Sequence, residues 1–195
     1  MSFEWLTEPT VIKPMWLALF YGVSEVFISL RLRSKSPSSA TDRGSLRLIW
    51  GVIAISVTAA IVAARYCPSL SFGENTALYW VGLAAYAFGL GLRWYSIRYL
   101  GKFFTVDVAI AGDQRVIDTG PYRFIRHPSY TGNLLAFLGL GLCIANAATV
   151  VLMVVPITAV FIYRIHLEES ALQAGLGQPY EVYMRRTKRL IPFVY

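Results

Sequence analysis

Two short stretches of this 195-residue chain carry the side chains that could do chemistry. In the first, RFIRHPSYTGN at 123–133, Arg126 and His127 stand directly before Pro128, and Tyr130 and Gly132 follow. Proline costs no hydrogen bond in the first turn of a helix, so a helix is expected to open here with Arg126 and His127 at its entrance. The free N–H groups and the dipole at that end favour an anionic ligand group. The second stretch, YRIHLEESALQAGLGQPYEVYMRRTKRLIP at 163–192, places Glu168 four residues after Arg164. On a helix the two share a face and can pair. Glu169, Tyr180 and Tyr183 follow. A plain interfacial helix end is the competing account of this stretch, with its charges meeting water and headgroups and its tyrosines forming part of an aromatic belt.

The elements that must position these clusters are apolar. Hydrophobic residues make up 56% of the chain and charged ones 15%, and the mean hydropathy is +0.52, which places it among membrane proteins. Five apolar stretches, 14–32, 46–66, 77–99, 130–145 and 147–167, stand against the roughly 20 residues that a helix needs to cross a bilayer. The expected fold class is an all-α integral membrane protein with about five transmembrane helices. The fourth stretch is short, and Asn146 alone separates it from the fifth, which predicts a tight hairpin of helices four and five. Such a hairpin returns the fifth helix to the side from which the fourth began, so the two polar clusters should converge on one face.

Lysine and arginine concentrate between the first two helices, around the third connection and at the C-terminal end, leaving Lys13 and Arg65 for the other side. Because such residues are retained in the cytoplasm, a five-span chain with its N-terminus outside puts all three basic groups on the cytoplasmic face. This accounts for the net charge of +7 with no nucleic acid as partner. The opening SFEWLTEP has no basic n-region, so the first helix is expected to stay in the product.

Other features point away from alternative chemistries. Cys67 and Cys143 form no C-x-x-C pair, and His127 and His166 lack the i,i+4 spacing of a helical metal site, so no metal is expected. The pairs Gly89/Gly91 and Gly139/Gly141 lie inside apolar runs, where small residues let helices approach closely, and no Rossmann fingerprint follows a strand. Residues 34–45 read as a solvated linker. Residues 105–110 and 114–117 are short β-prone runs around an Ala-Gly-Asp turn. Within the apolar helices, Glu25 either pairs inside the bundle or lies near a helix end. Arg93 and Arg98 either snorkel to headgroups or border an acceptor channel.

L-G-x-F-F from Leu100, V-I-D-T-G-P-Y-R-F-I-R-H-P-S-Y-T-G, R-x-x-x-E-E, G-x-x-Y-x-x-Y and the closing R-L-I-P together resemble the isoprenylcysteine carboxyl methyltransferase family, including its short prokaryotic members. The resemblance covers about 100–192, and phospholipid N-methyltransferases share its R-H-P-x-Y-x-G and E-E elements. It implies an integral membrane enzyme that moves a methyl group from S-adenosylmethionine, leaving S-adenosylhomocysteine, to a lipophilic or prenylated acceptor entering from the surrounding membrane lipids. By motif, Gly120, Pro121, Tyr122, Arg126, His127, Pro128, Tyr130 and Gly132 would line the cofactor pocket, and Glu168, Glu169, Tyr180 and Tyr183 would close it. Arg164 would face the acceptor, with Glu168 orienting it. Residues 1–99 then hold helices one to three and 100–195 the catalytic region, in one structural unit. Three readings follow: carboxyl O-methylation of an isoprenoid-like acceptor, methylation of a phospholipid or other amine or thiol, and a non-enzymatic membrane scaffold.

Overall fold

The computed structural model of the chain describes residues 13–32, 40–73, 75–106 and 114–195, and among them every regular element is helical. The helices are α1 (Pro14–Arg31), α2 (Ala40–Tyr66), α3 (Thr76–Leu100), α4 (Pro128–Cys143), α5 (Ala147–Leu176) and α6 (Gln178–Arg186). Sequence signals account for most of the boundaries. Pro14 and Pro128 sit in the first turns of α1 and α4, as that residue allows. The Asn75 side chain caps α3 by accepting from the Leu78 N–H at 2.9 Å. Gly177, at φ 58°, ends α5 and redirects the chain into α6.

The surface is inverted relative to a soluble protein. On α1 the exposed side is apolar, with Trp16, Phe20, Val23 and Phe27 facing out, while Ser24 and Glu25 lie on the buried side. Two segments, Gly44–Tyr66 and Ala147–Leu176, are long and apolar enough to cross a membrane.

The bundle is built from close helix pairs. α3 and α4 meet at two glycine pairs, Gly82 with Gly139 and Gly89 with Gly132, each seven residues apart on its own helix. A Cβ on Gly89 would come 2.5 Å from the Gly132 carbonyl oxygen, and one on Gly132 would come 2.5 Å from that of Gly89. The backbones therefore touch, as small residues at membrane helix interfaces permit. Of the glycines noted in the sequence, Gly89 and Gly139 serve this seam, Gly91 meets nothing within 4 Å, and Gly141 packs against Val150 of α5.

α4 and α5 form the expected hairpin. Asn146 caps α5 through Thr149 and also donates to the Cys67 carbonyl at 3.0 Å, tying the hairpin tip to the end of α2. Thr149 donates to the Ala60 carbonyl at 3.2 Å, and Met153, Ile157 and Phe161 of α5 join the main core. α1 packs on this frame through the Tyr21 ring against Phe137, centroids 4.7 Å apart, and through Trp94 donating to Ser24 at 3.0 Å.

Two expectations change here, and of the two alternatives for Arg93 the structure favours the one that places it at a cavity wall. Residues 40–45 are not linker but the first turns of α2; positions 34–39 lie outside the described residues. Residues 114–117 run without strand pairing, and most of the other β-prone run also lies outside the described residues. Arg93 does not reach headgroups: it is buried, with Nε 2.5 Å from Glu25 Oε1 and Nη2 2.6 Å from Oε2, and it donates to Ser129 at 2.7 Å. Inside an apolar bundle, neutralising the guanidinium with Glu25 is more favourable than carrying either charge alone. Arg98 is exposed.

Candidate active site

A short 3₁₀ turn, Gly120–Arg123, leads the chain to the N-terminus of α4. Gly120 takes φ 57° and lies flat against the Tyr99 ring, where a Cβ would fall 2.5 Å from ring carbons, so only glycine fits. The C-terminal segment then docks along this entrance. The N–H groups of Arg126 and His127 donate to the carbonyls of Lys188 and Arg189 at 2.8 and 3.0 Å, and Tyr183 donates from its hydroxyl to the Tyr122 carbonyl at 2.7 Å. The two polar clusters of the sequence thus meet, as the hairpin requires.

Glu169 is the knot between them. Its Oε1 takes Nε of Arg126 at 2.7 Å and lies 3.2 Å from Nε2 of His127, while Oε2 takes Nε of Arg189 at 2.9 Å. Arg126 also donates to the carbonyls of Met184 and Thr187. The carboxylate is 3% exposed, so it faces these partners and not open space. Arg189 keeps its proton more firmly than usual: burial opposes its charge, but its hydrogen bond to Glu169 and that carboxylate's charge outweigh the penalty.

Beside the knot lies a cavity of about 170 Å³. The α4 entrance contributes Tyr122, Arg126, His127 and Tyr130 to its wall, α5 contributes Arg164 and Glu168, and α6 contributes Tyr180 and Tyr183. Glu168 accepts from the Tyr130 hydroxyl at 3.2 Å, and the Tyr130 ring packs on Phe161 at 5.1 Å. Burial pushes the phenols of Tyr122, Tyr180 and Tyr183 well above their usual range, and the nearby Glu168 charge adds to this at Tyr122 and Tyr180. All three remain neutral hydrogen-bond donors. The same cavity is lined by Ile49 and Ile53 of α2, so its wall runs from ionic groups to apolar side chains.

The remaining sequence-predicted residues lie outside this wall. Gly120 packs on Tyr99, Pro128 is fully buried in the first turn of α4, Gly132 belongs to the α3–α4 seam, and Glu169 sits in the ion cluster. Pro121 is half-buried in the 3₁₀ turn. They shape the site from behind. Arg164 is not ion-paired with Glu168 among the described residues: its guanidinium donates to the Ser45 hydroxyl and, at 2.8 Å, to the Val106 carbonyl. Arg164 is 2% exposed and reaches Ser45 of α2, while Glu168 accepts from Tyr130. The sequence reading missed Ser45, which had no signal inside a serine-rich stretch. It also left out Arg189, although the closing R-L-I-P pattern contains it.

Residues 77–178 match the model of a family described as phospholipid methyltransferase. The chain belongs to the phospholipid methyltransferase family. It is a membrane methyltransferase. Protein-S-isoprenylcysteine O-methyltransferase B of Arabidopsis thaliana is 26% identical to this methyltransferase over 187 residues, which span 92% of each chain. A probable protein-S-isoprenylcysteine O-methyltransferase of Oryza sativa subsp. indica is 26% identical over 157 residues, covering 72% of this chain and 82% of the relative. Among solved structures, the eukaryotic intramembrane Ras methyltransferase, an isoprenylcysteine carboxyl methyltransferase, superposes with a TM-score of 0.63 at 26% identity. That match covers 74% of this methyltransferase and 52% of the longer chain.

Proposed function

We propose that this methyltransferase uses S-adenosylmethionine to esterify the carboxylate of an isoprenylcysteine or a similar lipophilic thioether acid. The observation that carries the reading is a cavity whose wall joins the ionic groups of the α4 entrance to the apolar side chains of α2. A water-soluble cofactor and a bilayer-derived acceptor can meet only in such a space.

The donor set fits the cofactor. Its amino-acid carboxylate suits the α4 N-terminus beside Arg126 and His127, its ammonium or ribose hydroxyls suit Glu168, and Tyr180, Tyr183 and Leu176 supply walls for the adenine. When bound, the cofactor supplies an activated methyl group on a sulfonium. The protein's share is positioning and exclusion of water. Arg164, held by Ser45 and the Val106 carbonyl, would orient an acceptor carboxylate, and a carboxylate needs no general base. Glu169 keeps the α4 entrance, α5 and the C-terminal segment in register behind this site.

In the membrane, α1 to α5 would be the five spans, with the N-terminus outside and the α4 entrance at the cytoplasmic face, since that orientation places the basic connections inside. Residues 1–99 would form the acceptor side and 100–195 the cofactor side. The family description favours one second reading, methylation of an amine headgroup, in which Glu168 would serve as base.

Calorimetric titration of the purified protein with S-adenosylhomocysteine tests the cofactor assignment. Saturable binding by the wild type is expected, weakened at least about tenfold in His127→Ala and Glu168→Ala. A folded wild type that binds nothing removes the reading. Radiolabel transferred to a prenylcysteine acid and released by mild base identifies the ester, whereas base-stable label selects the amine reading.

A further inference from the structure

Beyond α6 the chain folds into a closed turn whose side chains face outward. The N–H groups of Leu190 and Ile191 both donate to the main-chain oxygen of Tyr195, at 2.6 and 2.8 Å, and the Val194 N–H donates to the Ile191 carbonyl at 3.1 Å. Ile191, Phe193 and Val194 are thereby 53%, 93% and 70% exposed. Phe193 also holds φ 65°, which is unfavourable for a residue with a bulky side chain. Three apolar neighbours displayed together call for an apolar partner.

Hydrogen bonds to α4 fix the level of this turn. The N–H groups of Arg126 and His127 donate to the carbonyls of Lys188 and Arg189, and the Thr131 hydroxyl donates to that of Leu190. Residues 188–190 therefore climb alongside 126–131 in the direction of α4, and Leu190 is level with a residue about 6 Å along the axis from the helix entrance. Lys188 stands at the entrance itself, bridged to Ile125 and so next to Arg123 and Phe124. Lys188, Arg123 and Phe124 are all exposed, and neither cation is paired among the described residues. The outward order along α4 is cations first and apolar side chains next. A bilayer presents headgroup and acyl chain in that order. An acidic soluble protein would meet the cations but would leave Phe193 and Val194 uncovered.

We propose that Arg123, Lys188 and the 191–194 turn form a seat for an anionic phospholipid of the leaflet that α4 enters, with the cations on its headgroup and Ile191, Phe193 and Val194 against its acyl chains. Two unpaired cations favour a headgroup of net negative charge over a zwitterionic one, whose own cation would oppose them. The seat also reaches the site from behind. Tyr195, which closes the turn, accepts at its hydroxyl from Nη1 of Arg189 at 3.3 Å, and its ring centroid lies 5.4 Å from that guanidinium. Arg189 in turn grips Glu169. A turn held by lipid keeps Arg189 on Glu169, so anionic lipid tightens cofactor binding without touching the cofactor. This last step rests on the cofactor reading above; the seat itself does not.

The full chain in nanodiscs of phosphatidylcholine, with and without about one-third phosphatidylglycerol, tests both parts. The wild type should melt higher and bind S-adenosylhomocysteine a few-fold more tightly in the anionic discs. Each cation near an anionic surface is worth about fivefold in lipid affinity, so Arg123→Gln combined with Lys188→Gln should lose most of both gains. Phe193→Asn, whose new side chain tolerates the positive φ, should lose them too. Both variants should match the wild type in phosphatidylcholine alone. Arg185→Gln, which removes an exposed cation of α6, should keep the gains. Soluble glycerol phosphate added to the zwitterionic discs should reproduce neither. A wild type indifferent to lipid charge, variants that gain as much as it does, an equal loss in Arg185→Gln, or full replacement by glycerol phosphate overturns the seat. If S-adenosylhomocysteine does not bind at all, melting still decides: a lipid gain lost in the double variant keeps the seat while the cofactor reading falls.

Discussion

Glu25 and Glu169 are both buried carboxylates gripped by arginine, yet they are used in opposite ways. Among the described residues Glu25 has one cationic partner: Arg93 meets it through two N–H groups, and the pair is neutral. Glu169 is shared among Arg126, His127 and Arg189, so two guanidiniums and an imidazole face one carboxylate. The first arrangement joins α1 to α3 inside an apolar bundle, where any uncompensated charge is expensive. The second joins three parts of the chain at the edge of the bundle, where spare cationic character beside a helix N-terminus is what an anionic ligand group requires. The number of partners per carboxylate separates a neutral pair that lines the cavity from an ion cluster whose carboxylate stands behind its wall.

The largest expected effects come from breaking these carboxylates. Removing one member of a buried pair should cost about 3–5 kcal/mol, so Glu25→Met and Arg93→Met each destabilise by that order, while the double variant returns close to wild type. Glu169→Ala should cost at least as much, and no single companion substitution should rescue it, because three partners are left behind. Denaturant unfolding in mixed micelles measures both, and equal rescue at the two sites would erase the distinction. A smaller effect tests the frame that aligns Arg93 with Ser129. Gly132→Ala drives a Cβ into the Gly89 carbonyl and should cost about 1–3 kcal/mol, whereas Gly91→Ala, with nothing within 4 Å, should be neutral or slightly stabilising. Smaller again is Arg189→Ala, which leaves Glu169 two partners: about 1 kcal/mol of stability and a few-fold loss in S-adenosylhomocysteine affinity by calorimetry. Least of all, Ser45→Ala should lower kcat a few-fold with KM for cofactor unchanged, because Arg164 keeps its bond to the Val106 carbonyl.

The sequence made the local parts of this arrangement legible and left the long-range pairings obscure. Pro128 announced the start of α4, Asn146 the hairpin, and the glycines a close helix contact, because each works within a turn or two of itself. Convergence of the two polar stretches followed from the hairpin alone. What could not be read was which of two adjacent glutamates faces which partner. Glu168 and Glu169 differ by about 100° around the helix axis, and the sign of that rotation depends on how α5 packs. The i,i+4 spacing of Arg164 and Glu168 was real but went unused, because Ser45, more than a hundred residues away, offered the arginine a buried partner. The pairing of Glu25 with Arg93 is likewise a product of tertiary packing, and composition and period carry no record of it.

The glycine seam between α3 and α4 also acts as a ruler. Two contacts a heptad apart fix the axial register of the helices, since a slip of one turn would slide side chains into spaces that hold only backbone. Arg93 lies one turn past Gly89, and Ser129 lies three residues before Gly132. The seam thus sets the height at which arginine and hydroxyl meet. One residue inserted between Gly89 and Arg93 would leave the seam intact but rotate the guanidinium by about 100°, away from Glu25, so the spacing between glycine and arginine is itself a fixed dimension of the cavity.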